Sequence, residues 1–193
     1  VLARPNAVEE NAVGTPLLNP EWGTGTVYTP GGNFSQIEIQ YNKLTNELYY
    51  KKEDAVLIFV DTVNAFILTY AEGDQVKTEK YQAGYPSTGD QNYQSFYQVL
   101  EEGPRFHLLN RKYSKRQESY HYSEGKTINY FSHEDLYVYD VAAKKIAKVK
   151  KSESSLTEAF PDKAAEIKKV AGQQKLKLKN QEDLIKLVKL LNA

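Results

Sequence analysis

The sequence predicts a mainly β fold of the α+β class: a twisted antiparallel sheet or half-barrel of about ten short strands, with a helical C-terminal segment packed on it. Three observations lead there. From Trp22 onward, turn-forming residues recur between short runs rich in Val, Ile, Tyr and Phe, as in an antiparallel β-domain. Beyond Lys151 the apolar spacing changes from the period of a strand to that of a helix. Charge changes near the same place: residues 1–143 carry 12 Lys+Arg against 19 Asp+Glu, whereas residues 144–179 carry 11 Lys against 4 acids. The sum is zero, so the neutral whole hides an acidic body and a basic stretch.

Each element has a local reason. Residues 1–21 lack periodicity and contain Pro5, Pro16 and Pro20, which predicts a flexible N-terminal leader. Gly25–Thr29 reads as a strand closed by the turn Pro30-Gly31-Gly32-Asn33. Ile37, Ile39 and Tyr41 alternate with Glu38 and Gln40, giving one buried and one wet face. After a turn over Asn42–Asn46 comes a strand at Glu47–Lys52. Ala55–Val60 is apolar throughout and Val63–Tyr70 nearly so, the composition of strands covered on both faces, which places the centre of the sheet near residues 55–70. Further strands are expected at Val76–Tyr81, Phe96–Leu100 and Arg105–Tyr113. Three short ones follow, around Tyr120 and Tyr122, Ile128 and Tyr130, and Leu136–Tyr139, with Ile146–Val149 closing the sheet.

In the C-terminal part, Ser155 and Glu158 have capping-box spacing, Pro161 suits a first helical turn, and Ala164, Ile167 and Val170 form a stripe. Asn180 and Asp183 signal another helix start, after which Leu184, Leu187, Val188 and Leu191 share one face. So short a helical stretch makes a poor independent core. Residues 22–193 are therefore expected to form one domain, with a β part at 22–151 and a helical part at 152–193 docked on it.

Candidate chemistry is sparse. The chain has no Cys, which removes disulfides, thiolate nucleophiles and thiolate metal sites together. His107, His121 and His133 show no metal-ligand spacing, and His133-Glu134-Asp135 reads as a solvated turn. Nucleophile elbows, phosphate loops and zinc-protease motifs are absent from the sequence, so it supports no catalytic residue, metal ligand or cofactor. Arg111–Arg116 interleaves basic residues with Tyr113, but the acidic body opposes phosphate binding; a charged edge hairpin is expected and nucleic acid is not. No apolar run is long enough for a transmembrane helix.

Fifteen tyrosines are the strongest side-chain bias. Tyr joins a flat apolar face to a hydroxyl, which suits sugars and protein partners as well as half-buried strands. Tyr97, Tyr120, Tyr122 and Tyr130 are the candidate ligand-binding residues on that basis, and Trp22 is expected to plug one end of the core.

The run Glu21-Trp22-x-x-Gly25-Thr26-Val27, the segments Tyr41-Asn42 and Asn46-Glu47-Leu48, the later Phe96–Leu100 with Gly103, and the closing Lys-Leu-Lys with Glu182-Asp183-Leu184 resemble a family of uncharacterised exported proteins of Bacteroidetes-type bacteria. The resemblance implies an extracytoplasmic protein, periplasmic, surface-attached or secreted, and carries no activity. Val1-Leu2-Ala3 also looks like the small-residue end of a removed signal peptide. The expected function is a non-enzymatic binding or structural module of the cell envelope, with an envelope protein or a glycan as partner. A small-ligand carrier with a barrel-like cavity and an uncharacterised hydrolase are the alternatives.

Overall fold

The computed structural model describes residues 12–122 and 125–193. Its strands are β1 (Ala12–Val13), β2 (Gly23–Thr29), β3 (Gly32–Asn42), β4 (Glu47–Lys52), β5 (Ala55–Ile58), β6 (Ala65–Glu72), β7 (Gln75–Gln82), β8 (Tyr97–Glu102), β9 (Phe106–His121), β10 (Gly125–Asp140) and β11 (Lys145–Val149). The helices are α1 (Glu153–Ala159), α2 (Ala164–Gln173) and α3 (Gln181–Asn192), with a 3-10 turn at Pro161–Lys163. With 51% strand and 18% helix, the mainly β class is correct. The chain divides into two compact units, the first comprising residues up to Ala83 with Lys112–Glu134, the second Gly84–Arg111 with Asp135–Ala193. The division thus falls within the two long strands β9 and β10, not at the change of texture near residue 151.

In the first unit, six strands pair in the order β7-β6-β2-β3-β4-β5, all antiparallel. One face of this ladder carries Ile39, Tyr41, Leu48, Phe66, Leu68 and Tyr81, all buried. Phe66 stacks on Tyr81 at 4.8 Å, and Tyr41 leans against both rings at 5.4 Å. Gly25 is required by close approach: a Cβ there would fall 2.6 Å from the carbonyl oxygen of Ile67 and inside the side chain of Ile39. Between Gly25 and Val27 the pairing of β2 with β3 slips by one residue, and Gln36 adopts a left-handed φ of 55°. This β-bulge reverses the in-out alternation of β3.

The opposite face at β3 and β4 is polar yet closed. Asn19 is buried; its amide donates to the Ile39 and Glu21 carbonyls at 3.0 Å and its oxygen accepts from Tyr41 N at 3.1 Å. Gln40 donates back to the carbonyls of Asn19 and Pro20. The flexible leader expected over 1–21 is therefore not what its second half forms. Ala12–Val13 pairs parallel with Ile128–Asn129, and Leu17 bridges to Asn42; residues 1–11 lie outside the described residues.

In the second unit, β8 pairs with the start of β9, and β11 with the end of β10. Phe106, Leu108, Leu136, Val138 and Val149 meet Leu156, Phe160, Ile167, Leu184, Leu187 and Leu191 from the helices in one apolar cluster. Burying the four apolar side chains of α3 stabilises by roughly 6 to 10 kcal/mol before entropy is subtracted. The expected cap forms, with Asn180 accepting from Asp183 N at 2.7 Å. At the other end, Asn192 binds Arg105 N, Phe106 N and Phe106 O like one more strand residue. The cap of α1 is Ser152, not Ser155.

Three further expectations are corrected. The short strands around residues 120–122, 128–130 and 136–139 belong to just two long strands, so His133-Glu134-Asp135 lies inside β10 and not in a turn. Arg111–Arg116 likewise lies inside the long strand β9 and not at a hairpin turn, with β8 pairing to β9 over His107–Asn110. Most consequentially, β6 is central but β5 is terminal in the strand order, paired among the described residues to β4 alone, with all four residues half-buried. Composition cannot separate a strand flanked on both sides from an edge strand covered by its own neighbouring side chains.

Candidate functional site

The bulge in β3 creates an open, largely apolar groove in the first unit. By reversing the alternation, it turns both Phe34 and Ile37 toward one groove, which residues three apart on a regular strand would not share. Tyr50 on β4 stands opposite Leu57 on β5, and the tight turn between them places Glu53 at a φ of 57°. Phe59 then packs on Tyr50 at 4.5 Å and faces Phe34 at 6.0 Å. Together with Ile58 and Val60 these side chains line a cavity of about 500 Å³. Phe34 is 46% exposed and Val60 74%. The rings are tilted by 41° and 56°, so they wall the groove and do not form a flat stacking platform.

Its rim carries Lys51, Lys52 and Asp61. Lys51 pairs with Glu38 at 3.1 Å and sits 4.8 Å above the ring of Trp22. Trp22 is half-buried beside that lysine; it is not a core plug. The site therefore offers desolvation and ring contact to an apolar group, with few charges to orient it.

Elsewhere in the unit the same sheet face becomes polar. Glu79 and Lys112 form a buried ion pair at 2.7 Å, with side chains 8% and 12% exposed, and Tyr81 donates to Glu79 at 2.7 Å. Burial, and next the charge of Lys112, lowers the pKa of Lys43, whose ammonium donates to Ser132 at 2.9 Å. The hydroxyl of Tyr70 is buried without a hydrogen-bond partner, and burial holds its pKa above the ordinary tyrosine range. Glu79, Lys112 and Tyr81 thus satisfy one another in a closed polar cluster.

The second unit contains its own aromatic cluster. Tyr85 shares a hydrogen bond of 2.9 Å with His107 Nδ1, and Tyr85, Tyr97, Tyr137 and Tyr139 meet edge to face. Tyr137 donates to Gln91 at 3.0 Å. Burial raises the pKa of Tyr85 and of Tyr97, so both remain neutral phenols. Tyr85 is buried and His107 half-buried, and their rings meet edge to face at 5.8 Å.

The sequence-derived candidates are not brought together. Tyr97 is fully buried in the second unit and cannot present its ring to a ligand. The others belong to the first unit: Tyr120 is 78% exposed, Tyr122 wholly so, and Tyr130 half-buried. The groove residues Phe34, Tyr50 and Phe59 escaped sequence reasoning because Ala55–Val60 reads as a central strand. The available signal was charge: Glu53-Asp54 and Asp61 bracket the run, as acids often bracket a strand that meets water.

Among the described residues no three His, Asp or Glu side chains converge as a metal centre requires. Compared with known proteins, the chain matches no family model, no curated protein and no solved structure.

Proposed function

We propose that this protein is a non-enzymatic binding module of the cell envelope and that it binds apolar groups in the groove between β3, β4 and β5. One observation carries the reading: exposed Phe34 and Val60, with Tyr50 and Phe59, border an open cavity of about 500 Å³. Exposed apolar patches with polar rims mark interaction surfaces. Tilted ring walls favour an acyl chain, an aromatic group or a partner's apolar side chain over the flat face of a sugar. The extracytoplasmic part of the reading is supported by the resemblance of the Trp22-x-x-Gly25 and Asn46-Glu47-Leu48 segments to exported proteins.

The test is a thermal-shift screen with medium-chain fatty acids, aromatic alcohols and apolar peptides on the wild-type chain and on Phe59→Ala. A ligand present at a hundred times its Kd stabilises the native state by about 2.7 kcal/mol. A compound that raises Tm for the wild type but not for Phe59→Ala is the expected result. Equal shifts in both proteins, or none in either, overturn the groove as the site.

A further inference from the structure

We infer that the β5 edge of this groove is a docking site for an extended segment of another polypeptide, which adds to the sheet as a strand and inserts a side chain into the groove. The inference rests on the groove reading above and names its occupant.

The hydrogen-bond phase of β5 follows from one contact. Phe59 N donates to Leu48 O at 3.2 Å, and the register pairs Ile58 with Tyr49, Leu57 with Tyr50 and Val56 with Lys51. In an antiparallel ladder, residues alternate between bonding toward and away from a given neighbour. Leu57 and Phe59 therefore face β4, and Val56 and Ile58 direct their N–H and C=O groups outward. No described residue bonds to those outward groups.

An unpaired edge is ordinarily protected by Lys, Pro, a bulge or extreme shortness. Over Ala55–Val60 there is no charge and no Pro, and the pairing with β4 runs without a slip, so of these devices β5 has only its four-residue length. A strand bound here would place the residue opposite Leu57 on the face of Tyr50, in diagonal reach of Phe59. Backbone bonds would supply affinity and the groove would select the side chain.

Charge decides against a second copy of the chain. Self-pairing about a two-fold axis, with Val56 opposite Ile58 so that all outward groups bond, brings the acidic Glu53-Asp54 turn of each copy toward Asp61 of the other, twice. Glu53, Asp54 and Asp61 are exposed and make no ion pair among the described residues, and of the two lysines on the groove's rim Lys51 is already paired with Glu38. The occupant is accordingly a foreign strand with an apolar side chain at its centre and basic residues at its flanks.

The probe is a synthetic peptide of alternating Thr and Val around a central Phe, with Lys at both ends, titrated calorimetrically into the full chain. Its control carries N-methyl groups on the two residues flanking the Phe, which removes the donors that would meet Val56 and Ile58. At least tenfold weaker binding of the methylated peptide is expected, and the same loss when Glu replaces the terminal Lys. Val56→Pro removes one outward N–H, no bond to β4 and no side chain of the groove wall, so it should weaken the parent peptide tenfold with unchanged circular dichroism and Tm. Should that variant not fold, the methylated peptide tests the same bond on the unaltered protein. Equal affinity for both peptides, with binding lost in Phe59→Ala, overturns strand addition and leaves the groove standing. No binding, or binding indifferent to Phe59→Ala, overturns both.

Discussion

The runs Ala55-Val-Leu-Ile-Phe-Val60 and Ala65-Phe-Ile-Leu-Thr-Tyr70 are neighbours in sequence and nearly equal in apolar content, yet they have opposite places in the sheet. β6 lies between β2 and β7 and buries Phe66, Leu68 and Tyr70 completely or nearly so. β5 has β4 on one side, no residue fully buried, and an apolar end at Val60 that meets solvent. Equal hydrophobicity at unequal burial separates two uses of a strand. In β6 the apolar side chains hold the fold together; in β5 they remain available, and the aromatic groove grows around them.

The comparison can be broken at either strand. The largest effect lies on the face beneath β6, where burial raises the pKa values of Tyr70 and Tyr81. An unfolded tyrosine loses its proton near pH 10, whereas these keep theirs when folded, so the native state binds more protons there. Their contribution is intact below about pH 10 and falls as pH rises beyond it. Circular dichroism should show cooperative unfolding on the alkaline side, with a simultaneous step in tyrosinate absorbance; tyrosinate forming before unfolding would contradict it.

Phe66→Ala should come next, at about 3 to 5 kcal/mol in urea denaturation, since it empties the centre of the Tyr41 and Tyr81 stack. A cost under about 1 kcal/mol would mean that β6 is not the core strand described here. Asn19→Ala should cost about 1 to 3 kcal/mol, because Tyr41 N and the Ile39 carbonyl lose a buried partner. The smallest effect belongs to β5: Val60→Thr should change stability by no more than about 0.5 kcal/mol while weakening any ligand of the groove. If it destabilised as much as Phe66→Ala, the difference between the two strands would vanish.

Much of the fold is legible residue by residue. Alternation at Ile37, Ile39 and Tyr41, the turns at Pro30–Gly32 and Glu72–Asp74, and the stripe Leu184, Leu187, Val188 and Leu191 all state their structure locally, because side-chain period and turn chemistry are short-range properties. β9 and β10 look like several short strands in the sequence because they carry many polar residues in their outer halves, which weakens the apolar alternation that marks a strand. The candidate site was hardly legible. Tyrosine content pointed to Tyr97, Tyr120, Tyr122 and Tyr130, but composition does not distinguish a ring buried against Tyr85 and Tyr137 from one in open solvent.

The sequence by itself determined the mainly β class, the C-terminal helices with their Asn180 cap, the charge division and the lack of thiol chemistry, since each follows from residue type and local spacing. Only the tertiary structure decided that β5 is an edge, that a bulge at Gln36 turns Phe34 and Ile37 into one groove, and that Asn19 is locked under β3. Those are facts of strand order and register, set by which distant segments bury one another's faces most completely, and two runs as alike as 55–60 and 65–70 contain no local mark of which one will be left at the rim.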